Sequence, residues 1–289
     1  MSRTRVRGTQ RKSRSVKLKL HRFFGVSLGG GKTDKTCLSV IEYYPQQRKL
    51  FLSRLYDKIR SEGEVSADLQ ITKIINECPP PVENVTFDVP LQLPYALLNS
   101  CKGVPFEECQ DPAIRWMWDH WRKHGKKKKP QKLFTPYTER CVEQYLATEL
   151  EEVFHLPHAL GANLAPLTAR AQYLTRLLDF TCLEAFPKLS LWRIGNSLNI
   201  PKSQLRFHRH WEGGAESRRL ILDKMHDKNL AFIYDQDSKS LVESPQAFDS
   251  FLCALTGLLS FLGHTEPRPK GFPRRESWIE IPKKIFPWP

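Results

Sequence analysis

Val85-Thr86-Phe87-Asp88-Val89-Pro90 is the stretch on which the fold turns. Its β-branched and aromatic residues read as a short strand, and the proline ends it. Residues 67–78 precede it, with Leu69, Ile71, Ile74 and Ile75 at helical spacing until Pro79-Pro80-Pro81 stops the pattern. A strand reached through a helix joins its sheet in parallel. Further upstream come three more strand signals. They are Phe23-Phe24-Gly25-Val26-Ser27-Leu28, which ends in Gly29-Gly30-Gly31, then residues 37–44, then residues 49–56 after a Pro45-Gln46-Gln47 turn. Turns this short make the three strands sequential and antiparallel. The order predicts an α/β protein with a mixed sheet, three antiparallel strands followed by parallel ones.

Downstream, residues 90–136 are irregular and aromatic-rich, and too long for an ordinary connection, so they read as an insertion with its own role. Helical patterns follow at 138–154, 166–178, 189–198, 215–227 and 245–262, with a strand at 180–186. The last helix is apolar on nearly all sides. The expected organisation is a basic flexible tail at 1–22 and an α/β domain at 23–263. That domain has flanking helices and a helical insertion at about 95–136, and a Pro-rich basic segment at 264–289 drapes over its surface.

The charge is unevenly placed. The 289 residues carry 45 Lys and Arg against 31 Asp and Glu, a formal +14. Residues 1–22 hold nine of these cations and residues 122–132 hold seven, with no acid in either, so the remainder sums to −2. With 40% apolar and 11% aromatic residues, wholesale disorder is excluded. The basic segments suit a polyanion. Arg11, Lys12, Arg14 and the run Lys126, Lys127, Lys128 and Lys129 are candidate contacts to the phosphates of a nucleic acid. Arg115, Trp116, Trp118, Trp121 and Arg122 read either as base-stacking groups among cations or as core of a lid helix. The N-terminus has no apolar run behind its charges, since Val16-Lys17-Leu18-Lys19-Leu20 is interrupted, so no secretory signal is expected. Residues 251–263 are too few to span a bilayer. The seven cysteines are scattered without a CxxC pair, which points to reduced thiols, no disulfide-linked partner and no cysteine zinc site. A cytoplasmic protein without a membrane partner is the expectation.

Three carboxylates sit in apolar surroundings: Asp88, Glu184 at the end of Thr181-Cys182-Leu183-Glu184, and Asp249 within Phe248-Asp249-Ser250-Phe251. An unpaired charge there is costly, so each must be hydrogen-bonded, ion-paired or bound to a cation. Taken together they suit hard oxygen ligation of Mg²⁺ or Mn²⁺, ions that can bracket a scissile phosphate. Taken singly, each could cap a turn or pair with an arginine. The Gly30-Gly31-Lys32-Thr33 turn resembles the end of a P-loop. However, residue 26 is valine where glycine is required, and a strand rather than a helix follows. It reads as a β-hairpin turn, a form that a nucleotide-phosphate loop of the actin or sugar-kinase type also uses.

Asp88-Val89-Pro90-Leu91-Gln92-Leu93-Pro94, behind a Gly-rich first hairpin, resembles the predicted nucleases of domain-of-unknown-function family 429. Further matches follow in order: Arg115-Trp116-Met117, Thr138-Glu139-Arg140, the segment 159–167, Leu183-Glu184-Ala185-Phe186-Pro187, residues 248–256, and Trp278-Ile279-Glu280-Ile281-Pro282. The resemblance spans roughly residues 23–282 and implies a ribonuclease-H-like fold and a divalent-metal-dependent nuclease. It implies Asp88 as the fourth-strand acid, Asp249 as the late-helix acid and Glu184 as a third, all catalytic and metal-ligating, with Glu139 auxiliary. One position departs from it. The family pattern has an acid in the first strand where this chain has Ser27, a poorer ligand for a hard cation. Asp34 could substitute if the hairpin folds back, the site could work with fewer acids, or catalysis could be lost while binding remains. The readings carried forward are therefore a metal-dependent nuclease, a non-catalytic nucleic-acid-binding protein on the same scaffold, and an actin-like phosphotransferase using residues 29–33.

Overall fold

Three consecutive strands begin the sheet: β1 (His21–Ser27), β2 (Thr36–Tyr44) and β3 (Lys49–Ile59). The structure, a computed structural model, describes residues 19–30, 35–100, 103–124, 133–150, 158–161 and 163–288. β2 pairs antiparallel with β1, from His21 opposite Tyr43 to Ser27 opposite Cys37, and with β3 on its other side. Helix α1 (Ala67–Asn76) then leads to β4 (Val82–Phe87), which pairs parallel with β1. Ser66 caps α1 by accepting from the Leu69 N–H. β5 (Cys182–Glu184) adds parallel to β4, and β6 (Ala231–Phe232) adds parallel to β3. The order across the sheet is β5-β4-β1-β2-β3-β6. The expected mixed sheet is thus present, antiparallel in its first three strands and parallel thereafter.

The insertion holds a single π-turn (Ala96–Ser100) and α2 (Pro112–His124), and α3 (Cys141–Glu149) and α4 (Ala165–Thr175) follow. Beyond β5 come α5 (Pro187–Ser197), α6 (Lys202–Leu205), α7 (Gly214–Asp227), α8 (Asp235–Glu243) and α9 (Pro245–Phe261). Both faces of the sheet are covered, as parallel strands require. Phe23, Ile41 and Leu52 face α5, α7 and α9, while Phe24, Val26, Val40 and Phe87 face α1 and α4. A third cluster joins α2 and α3 to Phe272, Ile279 and Ile281.

Helix α9 is the central support. Ser244 caps it by accepting from the Ala247 N–H, Pro245 starts it, and every residue from Ala247 to Leu259 is buried. It lies across β1, β2 and β4. Its approach demands glycine at residue 25, where a Cβ would come within 2.0 Å of the Ser250 carbonyl oxygen. Below it, the Ser39 and Ser250 hydroxyls form a buried 2.6 Å hydrogen bond.

Several element boundaries differ from expectation. β4 ends at Phe87, so Asp88 stands just past the strand. β1 takes in His21 and Arg22, which pair with Glu83 and Glu42, so these two residues belong to the sheet and not to the tail. α3 starts at Cys141, after a turn that places Glu139 outside the helix, and the strand expected at 180–186 is three residues long. The C-terminal segment does more than drape. Ile279, Ile281 and Phe286 are buried, and the Glu280 N–H donates to the Glu184 carbonyl at 2.7 Å. Cys37, Cys78, Cys141, Cys182 and Cys253 form no disulfide. Among the described residues no helix is long and apolar enough to cross a membrane.

Candidate active site

β1, β4 and β5 run parallel, so their C-terminal ends share one edge of the sheet, which is where ligands bind in open α/β folds. Ser27 ends β1, Asp88 follows β4 and Glu184 ends β5. Helix α9 brings Asp249 to the same edge from its second turn. All four line one cleft of about 430 Å³, together with Arg140, Arg209 and Gln246. Gln246 fixes the base of the cleft by donating to the Ser27 and Lys35 carbonyls, each at 3.0 Å.

Asp88 is held by neutral donors. The Ser27 hydroxyl donates to Oδ2 at 2.6 Å and the Leu28 N–H to Oδ1 at 3.0 Å. Burial pushes its carboxyl up to about 6, against the pull of the Ser27 hydrogen bond and of Arg209. Asp249, 1% exposed, contacts His208 Nε2 at 3.3 Å and Arg209 Nη2 at 2.5 Å. Burial opposes the Arg209 charge, but Asp249 and then Asp88 outweigh it and hold the guanidinium above its usual range. Arg218 donates to the His208 and Val242 carbonyls, which anchors the loop carrying His208 and Arg209. That loop also exposes Phe207 and Trp211.

Glu184 is bound differently. Its Oε1 accepts from Arg140 Nη2 at 2.7 Å, and its Oε2 accepts from Nη1 at 2.8 Å and from the Leu91 N–H at 3.1 Å. Arg140 Nε also donates to Glu143 at 2.8 Å. Arg140 and both glutamates are buried. This bidentate pair occupies both Glu184 oxygens and bolts α3 to β5.

The donor set can therefore be compared with the expected cation. Asp88 and Asp249 present hard oxygens to one cleft with a single guanidinium between them, so their combined charge leaves room for a further cation. Asp88 and Asp249 fit Mg²⁺ or Mn²⁺. Glu184 fits less well, because a buried bidentate Arg140 already compensates its charge, whereas the partners of Asp88 are neutral and Arg209, the partner of Asp249, is half exposed. Glu139 is not part of the cleft lining; it accepts from the Thr135 hydroxyl at 3.1 Å. Asp34, Gly31, Lys32 and Thr33 lie outside the described residues, as do Arg11, Lys12, Arg14 and Lys126 to Lys129. Gly30 is exposed three residues beyond the end of β1, and the element that follows is β2, whereas a P-loop opens a helix. Trp116 stacks on His120 and Trp118 on Phe106, within the third core cluster. Trp116, Trp118 and Trp121 are partly buried and pack against the core of the insertion.

Arg140 and Arg209 line the cleft and His208 contacts Asp249, and none of the three is among the residues expected from the sequence. Arg140 belongs to Thr138-Glu139-Arg140, and Arg209 lies in the run Arg206-Phe207-His208-Arg209-His210-Trp211, whose mix of cations and aromatics is the signal that marks it. No family model, curated protein or solved structure matches the chain.

Proposed function

We propose that the chain is a ribonuclease-H-like phosphodiesterase that cleaves nucleic acid with a divalent cation held by Asp88 and Asp249. The observation that carries this reading is the meeting of Ser27, Asp88 and Asp249 in one cleft, at the C-terminal ends of parallel strands and the start of α9. The order of β5-β4-β1-β2-β3, with β2 reversed, agrees with the strand order that the family resemblance implies. A hard cation at this cleft supplies activation of water and stabilisation of the leaving oxygen. The chain's own groups do the rest. Ser27 and the Leu28 N–H orient Asp88 by donating to its two oxygens. Arg209, whose side chain is 56% exposed, can exchange Asp249 for a substrate phosphate. Glu184 and Arg140 are positioning residues that set the floor of the cleft.

A second reading is favoured by a specific observation. Ser27 stands where the family resemblance implies a carboxylate, and Arg209 already neutralises Asp249, which suits a cleft that binds phosphate without cutting it. Labelled DNA and RNA, incubated with the full chain and Mn²⁺, separate the two. Cleavage lost in Asp88→Asn supports the phosphodiesterase. Binding without cleavage, together with cleavage gained in Ser27→Asp, supports the non-catalytic binder. Neither binding nor cleavage in either form overturns both.

A further inference from the structure

Outside the lining of the carboxylate cleft, α2 places His120 and His124 one turn apart on the same face. Glu149 closes against them from the end of α3. One ligand atom from each of the three lies within 4.8 Å of the others, and among the described residues this is the group with that property. The two imidazole rings are 4.5 Å apart, and His124 Nε2 lies 2.9 Å from Glu149 Oε1. The rings are oriented by neighbours. Trp116 stacks on His120 at 4.6 Å, and the Thr148 hydroxyl oxygen is 2.6 Å from His120 Nε2. Partners of this kind fix the ring of a metal-binding histidine.

We propose that His120, His124 and Glu149 form a zinc site that pins α2 to the end of α3. Two histidines at i and i+4 with a carboxylate supply three of the four ligands of a tetrahedral Zn²⁺ centre, with water as the fourth. Imidazole-rich donors select such a borderline ion over Mg²⁺, which the all-oxygen cleft at Asp88 and Asp249 prefers. Lys123 now donates to Glu149 Oε1 at 3.0 Å, but its side chain is 68% exposed and surface pairs of this kind yield readily to a stronger ligand. The metal would tie the insertion to the helix that carries Arg140 at its N-terminus, so the site would stabilise the cleft's floor without touching substrate.

The test is calorimetric titration of the metal-free full chain with Zn²⁺, beside His124→Gln and Glu149→Gln. Both changes are at partly exposed side chains, so each variant is expected to fold; His120 is avoided because it packs on Trp116. One equivalent should bind, at least about tenfold more weakly in either variant and unchanged in Asp88→Asn. Zn²⁺ should raise the melting temperature of the parent by mass action, and by less in the variants. Cobalt in place of zinc should give the visible absorption of a four-coordinate ion. Absence of Zn²⁺ binding by the parent, or binding that neither variant weakens, would overturn the proposal.

Discussion

Arg140 shows why single residues matter at this cleft. Its guanidinium serves two buried carboxylates, Glu143 and Glu184. Burial works against its charge, but Glu184 and then Glu143 more than compensate and raise it above its ordinary range. Arg140→Met should therefore destabilise the fold by about 3–5 kcal/mol, because two buried charges lose their partner. Chemical denaturation measures this, and a loss below about 1 kcal/mol would mean the network is not buried as described. Part of the cleft was legible in the sequence. Asp88, Glu184 and Asp249 stood out because a carboxylate in an apolar run needs a partner, and all three do line the cleft. Which partner each takes was not legible. Arg140 lies 44 residues from Glu184, and His208 lies 41 from Asp249, separations across which side-chain pattern carries no information.

At the scale of elements, the strand and helix patterns of the first 89 residues were readable because turns and prolines bound them. The register was not, and it is what sets glycine at residue 25. Gly25→Ala should destabilise by at least about 2 kcal/mol, since the new methyl meets the α9 backbone and cannot be absorbed by a flexible side chain. An unchanged melting curve would place α9 farther from β1. A helix in the insertion and a strand at 180–186 were legible but their bounds were not, and β6 is too short for alternation to show. The C-terminal segment adds a pH-dependent contact. Burial pushes the Glu276 carboxyl up to about 7, against the Cys141 N–H that donates to it at 3.2 Å. A carboxyl raised in the folded state stays protonated there while the unfolded chain ionises. Its contribution is thus full below pH 4.5 and lost as pH rises toward 7. Glu276→Gln keeps the acceptor for Cys141 and should flatten this decline, by on the order of 3 kcal/mol at most. Parallel stability curves for parent and variant between those pH values would count against the shift.

The whole molecule separates its charges. The excess cations lie mostly in residues 1–22 and 122–132, while the carboxylates sit in a near-neutral body. β1 begins at His21, so removing residues 1–18 leaves the sheet whole. That truncation should weaken nucleic-acid affinity and flatten its dependence on salt, because each phosphate contact releases counterions. Equal affinity and equal salt slope would reduce the tail to a solubility arm. Sequence order alone reached the mixed sheet, antiparallel and then parallel, since the succession of its elements is written along the chain. It did not reach the His120, His124 and Glu149 cluster, although His120 and His124 have the spacing of two ligands on one helix face. The third member comes from another helix.

Phosphodiester cleavage by the full chain in rising Mn²⁺, measured beside Asp88→Asn on the same labelled single-stranded and duplex substrates, bears most directly on the proposed function. The expected result is cleavage that requires the metal and falls by at least about 100-fold in the variant while binding persists. Cleavage undiminished in Asp88→Asn, or none by the parent at any metal concentration, would contradict it.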